Sequence, residues 1–246
     1  MRSRWWSVAV VVWCLVALSG CSDLPSLRLP RLPGASTPAV DQAANAQNVS
    51  ANVIVLDGSG TMAQTDIEPS RLAAAKMSAT DLVGALPTES SLAVLAFGQS
   101  TGNSDTEKPR GCQDVTTLVG PGTGQASRDQ ATSAIATLKA SGYTPIGLAM
   151  TKAVEQLPNG AGSVVIVTDG EDTCAPPDPC QTAKDLKQAH PDLTISTVGL
   201  RLESGASQQL SCIAENAGGS SSPPIAPSSS RPASGRPRTS SRPRAR

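Results

Sequence analysis

Five oxygen-bearing side chains stand out by type and spacing. Asp57, Ser59 and Thr61 share the stretch Leu56-Asp57-Gly58-Ser59-Gly60-Thr61-Met62. Thr144 lies in Gly142-Tyr143-Thr144-Pro145, and Asp169 in Thr168-Asp169-Gly170-Glu171-Asp172. Asp57, Ser59 and Thr61 alternate, so along an extended turn their side chains leave on one side. Two carboxylates and three hydroxyls form an all-oxygen donor set suited to a hard cation. Mg²⁺ is the first choice, with Mn²⁺ or Ca²⁺ as alternatives. Only two negative charges then face a dication, which stays electrophilic towards a further carboxylate. Each piece alone has a structural explanation: an Asp-Gly turn for either acid, and an N-cap followed by proline at the first helical position for Thr144-Pro145. Their combination is what points to a site.

The segments that must position these residues alternate between strand and helix. Strands are expected at Asn52–Leu56, Ser91–Phe97, Val115–Val119, Ser163–Thr168 and Leu193–Leu200. Helices are expected at Ser70–Leu82, Ser127–Lys139, Pro145–Gln156, Pro179–Ala189 and Ser207–Ala217. Val53-Ile54-Val55-Leu56 and Val164-Val165-Ile166-Val167 are continuous apolar runs, the pattern of central parallel strands covered on both faces. The expectation is an α/β domain over residues 51–219, doubly wound, with a mostly parallel central sheet flanked by helices. Asp57 and Asp169 then stand at the carboxyl ends of adjacent-type strands, where such sheets bind ligands.

In this order and spacing, residues 51–219 resemble the von Willebrand factor type A family and its metal-ion-dependent adhesion site. That pattern has Asp-x-Ser-x-Ser on one loop, a Thr on a second and an Asp on a third. Thr61 replaces the second serine with an equivalent hydroxyl. The resemblance implies that Ser59, Thr61 and Thr144 touch the metal directly, while Asp57 and Asp169 act partly through water. It implies an adhesion or interaction module, not an enzyme, whose protein or other acidic partner supplies a carboxylate to the metal. Loops Gln99–Gly111 and Thr173–Pro179 would set specificity. Glu171 and Asp172 either orient waters around the metal or are exposed surface acids.

A rival reading is enzymatic. Asp57-Gly58-Ser59-Gly60-Thr61 also resembles the first motif of haloacid dehalogenase-type phosphatases, in which the first Asp is a nucleophile. An acid two residues later serves that family as general acid/base, and here that position is Ser59. Ser-His-Asp hydrolysis would need His190, the single histidine, which precedes Pro191 at an expected helix end. Charge disfavours nucleic acid: residues 21–219 hold all 20 acids but only 12 of the 20 basic residues, a net charge of −8. The domain is expected to be monomeric.

The ends of the chain have a different character. Arg2 and Arg4 precede the apolar run Trp5–Leu18, and Leu18-Ser19-Gly20-Cys21 resembles a bacterial lipobox. Residues 1–20 are therefore expected to be a cleaved signal peptide and Cys21 to be lipidated, holding the protein on a membrane or envelope surface outside the cytoplasm. A Pro/Ala/Ser-rich spacer then runs to residue 50. Four cysteines remain in the domain, and in an exported protein an even number argues for disulfides. Cys112–Cys174 and Cys180–Cys212 are the expected pairs, with Cys174–Cys180 and Cys112–Cys212 as the competing scheme. Residues 220–246 contain six arginines and no acid among Ser and Pro, a composition that cannot bury a core. That reading leaves the final edge strand absent, or lost with a shifted reading frame.

Overall fold

The computed structural model describes residues 50–201 and 204–222. The expected signal segment, Cys21, the spacer before residue 50 and the basic tail beyond residue 222 lie outside the described residues. Among the described residues, no helix is long and apolar enough to cross a membrane.

The strands are β1 (Ala51–Asp57), β2 (Ser91–Phe97), β3 (Val115–Gly122), β4 (Gly162–Thr168), β5 (Leu193–Gly199) and β6 (Gly218–Ser222). They form one sheet in the order β3-β2-β1-β4-β5-β6. All neighbouring pairs are parallel except β2 with β3. The chain winds outward from β1 through β2 to β3, then returns to the other side of β1 at β4. That reversal puts a crevice between the carboxyl ends of β1 and β4, the ends that carry Asp57 and Asp169.

Helices α1 (Arg71–Ala85) and α2 (Gly124–Thr137) cover one face of the sheet. Helices α3 (Ile146–Val154), α4 (Pro179–Ala189) and α5 (Ser204–Asn216) cover the other. The two-residue period of β1 explains why both faces are sealed. Val53 and Val55 pack with Ile146, Met150 and Ile213, whereas Ile54 and Leu56 pack with Ala75, Ala79 and Ile135. The unbroken apolar run Val53–Leu56 thus serves two cores at once. Cys180–Cys212, with α-carbons 5.7 Å apart, joins α4 to α5 as expected from the sequence.

Helix α1 runs on to Ala85, past the expected end at Leu82, α2 and α5 each begin three residues early, at Gly124 and Ser204, and two further differences change the sheet. The strand at Val115 runs on to Gly122 through Gly120-Pro121, which an antiparallel edge strand tolerates because its outer amides face away from the ladder. The final edge strand is present. Gly218, with φ +71°, turns the chain out of α5, and Gly218–Ser222 pairs parallel with β5. The sequence Gly-Gly-Ser-Ser-Ser carries no apolar residue, so it reads as tail. Its place in the sheet rests on backbone pairing and on the close approach that small residues allow. A β-carbon at Gly219 would lie 2.0 Å from the Ile195 carbonyl oxygen.

Candidate metal centre

Three loops meet at the crevice, and backbone hydrogen bonds join them. After β1, the Gly58 amide donates to the Phe97 carbonyl at 2.8 Å and the Gly60 amide to the Gly142 carbonyl at 3.0 Å. In return, the Ser141 amide donates to the Gly58 carbonyl at 2.8 Å, and the Gly142 amide to the Gly98 carbonyl at 2.6 Å. Ser59 and Gly142 are bridged as in a parallel ladder. Gly98 makes this approach feasible. Its φ is +68°, and a β-carbon there would lie 2.3 Å from the Tyr143 carbonyl oxygen and 3.0 Å from the Ser59 amide.

Asp57 is fully buried. One carboxylate oxygen accepts the Ser59 amide at 2.6 Å, and the other accepts the Thr168 hydroxyl. Burial pushes this carboxyl up to about 6, and the nearby negative charge of Asp169 adds to the rise; the hydrogen bonds from Ser59 and Thr168 oppose it. From there the oxygens form a chain. Ser59 Oγ lies 3.1 Å from Thr61 Oγ1, which donates to Asp169 Oδ1 at 2.9 Å. Ser59 and Asp169 are buried, while Thr61 faces solvent.

Thr144 arrives on the loop that follows Gly142 and is itself buried. Its amide donates to Thr173 Oγ1 at 3.0 Å, and its carbonyl accepts the Thr173 amide at 3.1 Å. The next residue, Cys174, is bonded to Cys112, with α-carbons 5.3 Å apart. This is the expected pairing, and it binds the two rim loops to each other. Asp172 completes the frame. Its carboxylate accepts the Gly147 amide at 2.9 Å and the Cys174 amide at 2.6 Å, while its own amide donates to Gln209 Oε1 at 2.8 Å. Its carboxylate is thus used by backbone, and its role is to hold the Asp169 loop against α3 and α5. Glu171 is exposed.

The structure therefore gathers Asp57, Ser59, Thr61 and Asp169 into one hydrogen-bonded set and brings the Thr144 loop to its edge. Three participants escape the sequence reading. Thr168 could have been found, since it continues the inward positions Val164 and Ile166 of β4, where a buried hydroxyl must have a partner. Arg71 and Asp66 carry no such signal. Arg71 Nη1 donates to Asp169 Oδ2 at 2.8 Å. Its Nε and Nη2 donate to the two oxygens of Asp66, each at 2.8 Å.

The enzymatic alternatives gain no support. Ser59 stands where phosphatase chemistry needs an acid. His190 caps the carboxyl end of α4 and contacts the Asn159 carbonyl at 3.1 Å, beside the amino end of β5 and thus at the opposite edge of the sheet. Among the described residues, no group of three or more His, Cys, Asp or Glu side chains could hold a metal. A metal held here would depend on the hydroxyls.

Comparison with known proteins agrees with this architecture. The sequence model of the von Willebrand factor type A domain matches residues 52–171, an interval that contains all five candidate donors. The chain is 30% identical over 175 residues to the uncharacterized protein YwmC of Bacillus subtilis (strain 168), covering 69% of this chain and 74% of that one. Among solved structures, it is similar to the conserved hypothetical protein BatB from Bacteroides thetaiotaomicron. The TM-score is 0.54 at 19% identity, covering 70% of this chain and 88% of that one. It is also similar to the vWF domain of the type V pili tip protein Mfa5 from Porphyromonas gingivalis. There the TM-score is 0.51 at 12% identity, covering 71% and 90% of the two chains.

Proposed function

Because the chain belongs to the von Willebrand factor type A domain family, we propose that its Asp57–Asp169 cluster holds a divalent cation and receives through it a carboxylate of a protein or other acidic envelope partner. The observation that carries this reading is the run of oxygens at the sheet's switch point. Ser59, Thr61 and Asp169 present theirs at successive spacings of 3.1 and 2.9 Å. An octahedral cation with bonds of about 2.1 Å has edges of about 3 Å, so oxygens already this close through their own hydrogen bonds can face one small hard cation such as Mg²⁺ or Mn²⁺ with little movement.

When bound, the cation supplies an electrophilic position that a partner's carboxylate can occupy. The chain's own residues do the rest. Ser59, Thr61 and Thr144 offer hydroxyl oxygens. Asp57, through its hold on the Ser59 amide, keeps that hydroxyl in place. Asp169 contributes charge and accepts from Thr61. The Cys112–Cys174 bridge and the Asp172 contacts keep Thr144 and Asp169 from drifting apart.

The same proposal includes export. With Cys21 lipidated and residues 22–50 as a spacer, the domain would be displayed from a membrane surface with its metal edge available to envelope partners. The test is capture from an envelope extract by the full chain, in Mg²⁺ and in EDTA. Partners retained in Mg²⁺ and released by EDTA, and not captured by Thr144→Ala, support the reading. Equal capture in both buffers contradicts it.

A further inference from the structure

One cation is already built into the candidate metal centre. The guanidinium of Arg71 bridges two carboxylates: Asp169 on one side at 2.8 Å, and Asp66 on the other through two bonds of 2.8 Å. The Asp169 side chain is wholly buried and that of Arg71 is 13% exposed, so this contact is shielded from water. Asp66, at 35% exposed, lies nearer solvent and also has Arg201 Nε 3.5 Å away. The local backbone holds the arrangement. Arg71 opens α1 directly after the Ser70 cap, whose hydroxyl accepts the Ala73 amide at 3.1 Å, and the Arg71 amide donates to the Gln64 carbonyl at 2.9 Å.

We infer that Arg71 is an internal counter-cation that lowers the affinity of the Asp57–Asp169 site for its divalent metal, and that Asp66 moderates this effect by sharing the guanidinium. The inference rests on the cation reading above. Asp169 Oδ1 faces Thr61, and Oδ2 is committed to Arg71. A fixed positive charge against one of only two acids in the set makes the site a weaker host for a dication. It also leaves a bound dication less neutralised, and so more receptive to an incoming carboxylate. On this account the site is tuned to hold metal moderately and partner strongly. Asp66 sets the balance, because its carboxylate withdraws part of the guanidinium's field from Asp169.

The two residues act with opposite sign, which gives the test. The metal alone, Mg²⁺ or Mn²⁺, is titrated into the full chain by calorimetry, with Mn²⁺ binding also followed by electron paramagnetic resonance. R71Q keeps a polar side chain beside Asp169 but removes the charge, and should bind at least about tenfold tighter, since a unit charge a few ångströms from a dication acts on about this scale through water and more strongly where water is excluded. D66N releases the full guanidinium charge toward Asp169 and should bind several-fold more weakly. R71K keeps the charge and should stay near the unsubstituted chain. A merely positioning role for Arg71 predicts weaker binding in R71Q and D66N alike. Weaker or unchanged binding in a folded R71Q overturns the inference; should R71Q not fold, unchanged or tighter binding in D66N does so. No metal binding by the unsubstituted chain is a different result, and overturns the cation reading itself.

Discussion

The hydroxyl of Thr61 donates to Asp169 Oδ1 at 2.9 Å although 108 residues separate them in sequence. This contact closes the candidate site between the carboxyl ends of β1 and β4. Thr61→Val keeps the shape of the side chain and removes the hydroxyl. Since Thr61 faces solvent, the loss of stability should be no more than about 1 kcal/mol. Mg²⁺ affinity should fall by about tenfold or more, as one of few donors is lost. Calorimetric titration beside thermal melts in EDTA separates the two effects.

Asp57 predicts how the metal-free protein responds to pH. Its carboxyl is raised from 3.8 to about 6, so between those values the folded state binds more protons at this site than the unfolded state. Stability should therefore fall as pH rises from about 4 to about 6 and then level off, by on the order of 3 kcal/mol from this group. Asp57→Asn removes the titration and should flatten that slope. Urea unfolding at intervals between pH 4 and 7.5 in EDTA measures it. A wild-type slope unchanged by Asp57→Asn would refute the assignment.

Gly98 has no side chain to offer a metal, yet it governs how closely the donors' loops approach. Its φ of +68° and the 2.3 Å from a notional β-carbon to the Tyr143 carbonyl mean that Gly98→Ala must spread the Ser59 and Thr144 loops. The strain should lower stability by about 1–3 kcal/mol. Metal affinity should drop although all five oxygen donors remain, which binding titrations on the folded variant can check.

The Cys112–Cys174 bridge spans 62 residues. Cys112→Ala together with Cys174→Ala should cost about 4 kcal/mol in the chain-entropy account. Thr173, which holds both backbone groups of Thr144, is next to Cys174 and should loosen with it. Metal affinity should fall as well. Unfolding and Mg²⁺ titration of the double variant, with Cys180→Ala plus Cys212→Ala as the comparison that leaves the Cys112–Cys174 link intact, resolve the local effect.

Much of this was legible in sequence because it follows from periodicity and local chemistry. The apolar runs of β1 and β4 show strands sealed on both faces, and Asp57 and Asp169 terminate them. What escaped was set by long-range geometry. The pairing of Arg71 with Asp169 joins a helix start to a strand end 98 residues away, with no repeat or spacing to announce it. β6 escaped for the opposite reason. Gly218–Ser222 has strand pairing without strand composition, and Ile195 and Val198 of β5 supply the template that its own residues lack.

Mn²⁺ or Mg²⁺ binding to the metal-depleted full chain and to its Thr144→Ala and Asp169→Asn variants tests the metal centre itself. One saturable divalent site is expected in the unsubstituted chain, with binding raising its melting temperature as ligand linkage requires. Both variants should keep the far-ultraviolet circular dichroism of the parent and lose the site. Absence of a saturable site in the parent, or equal affinity in folded variants, would contradict the assignment of Asp57, Ser59, Thr61, Thr144 and Asp169 as a metal centre.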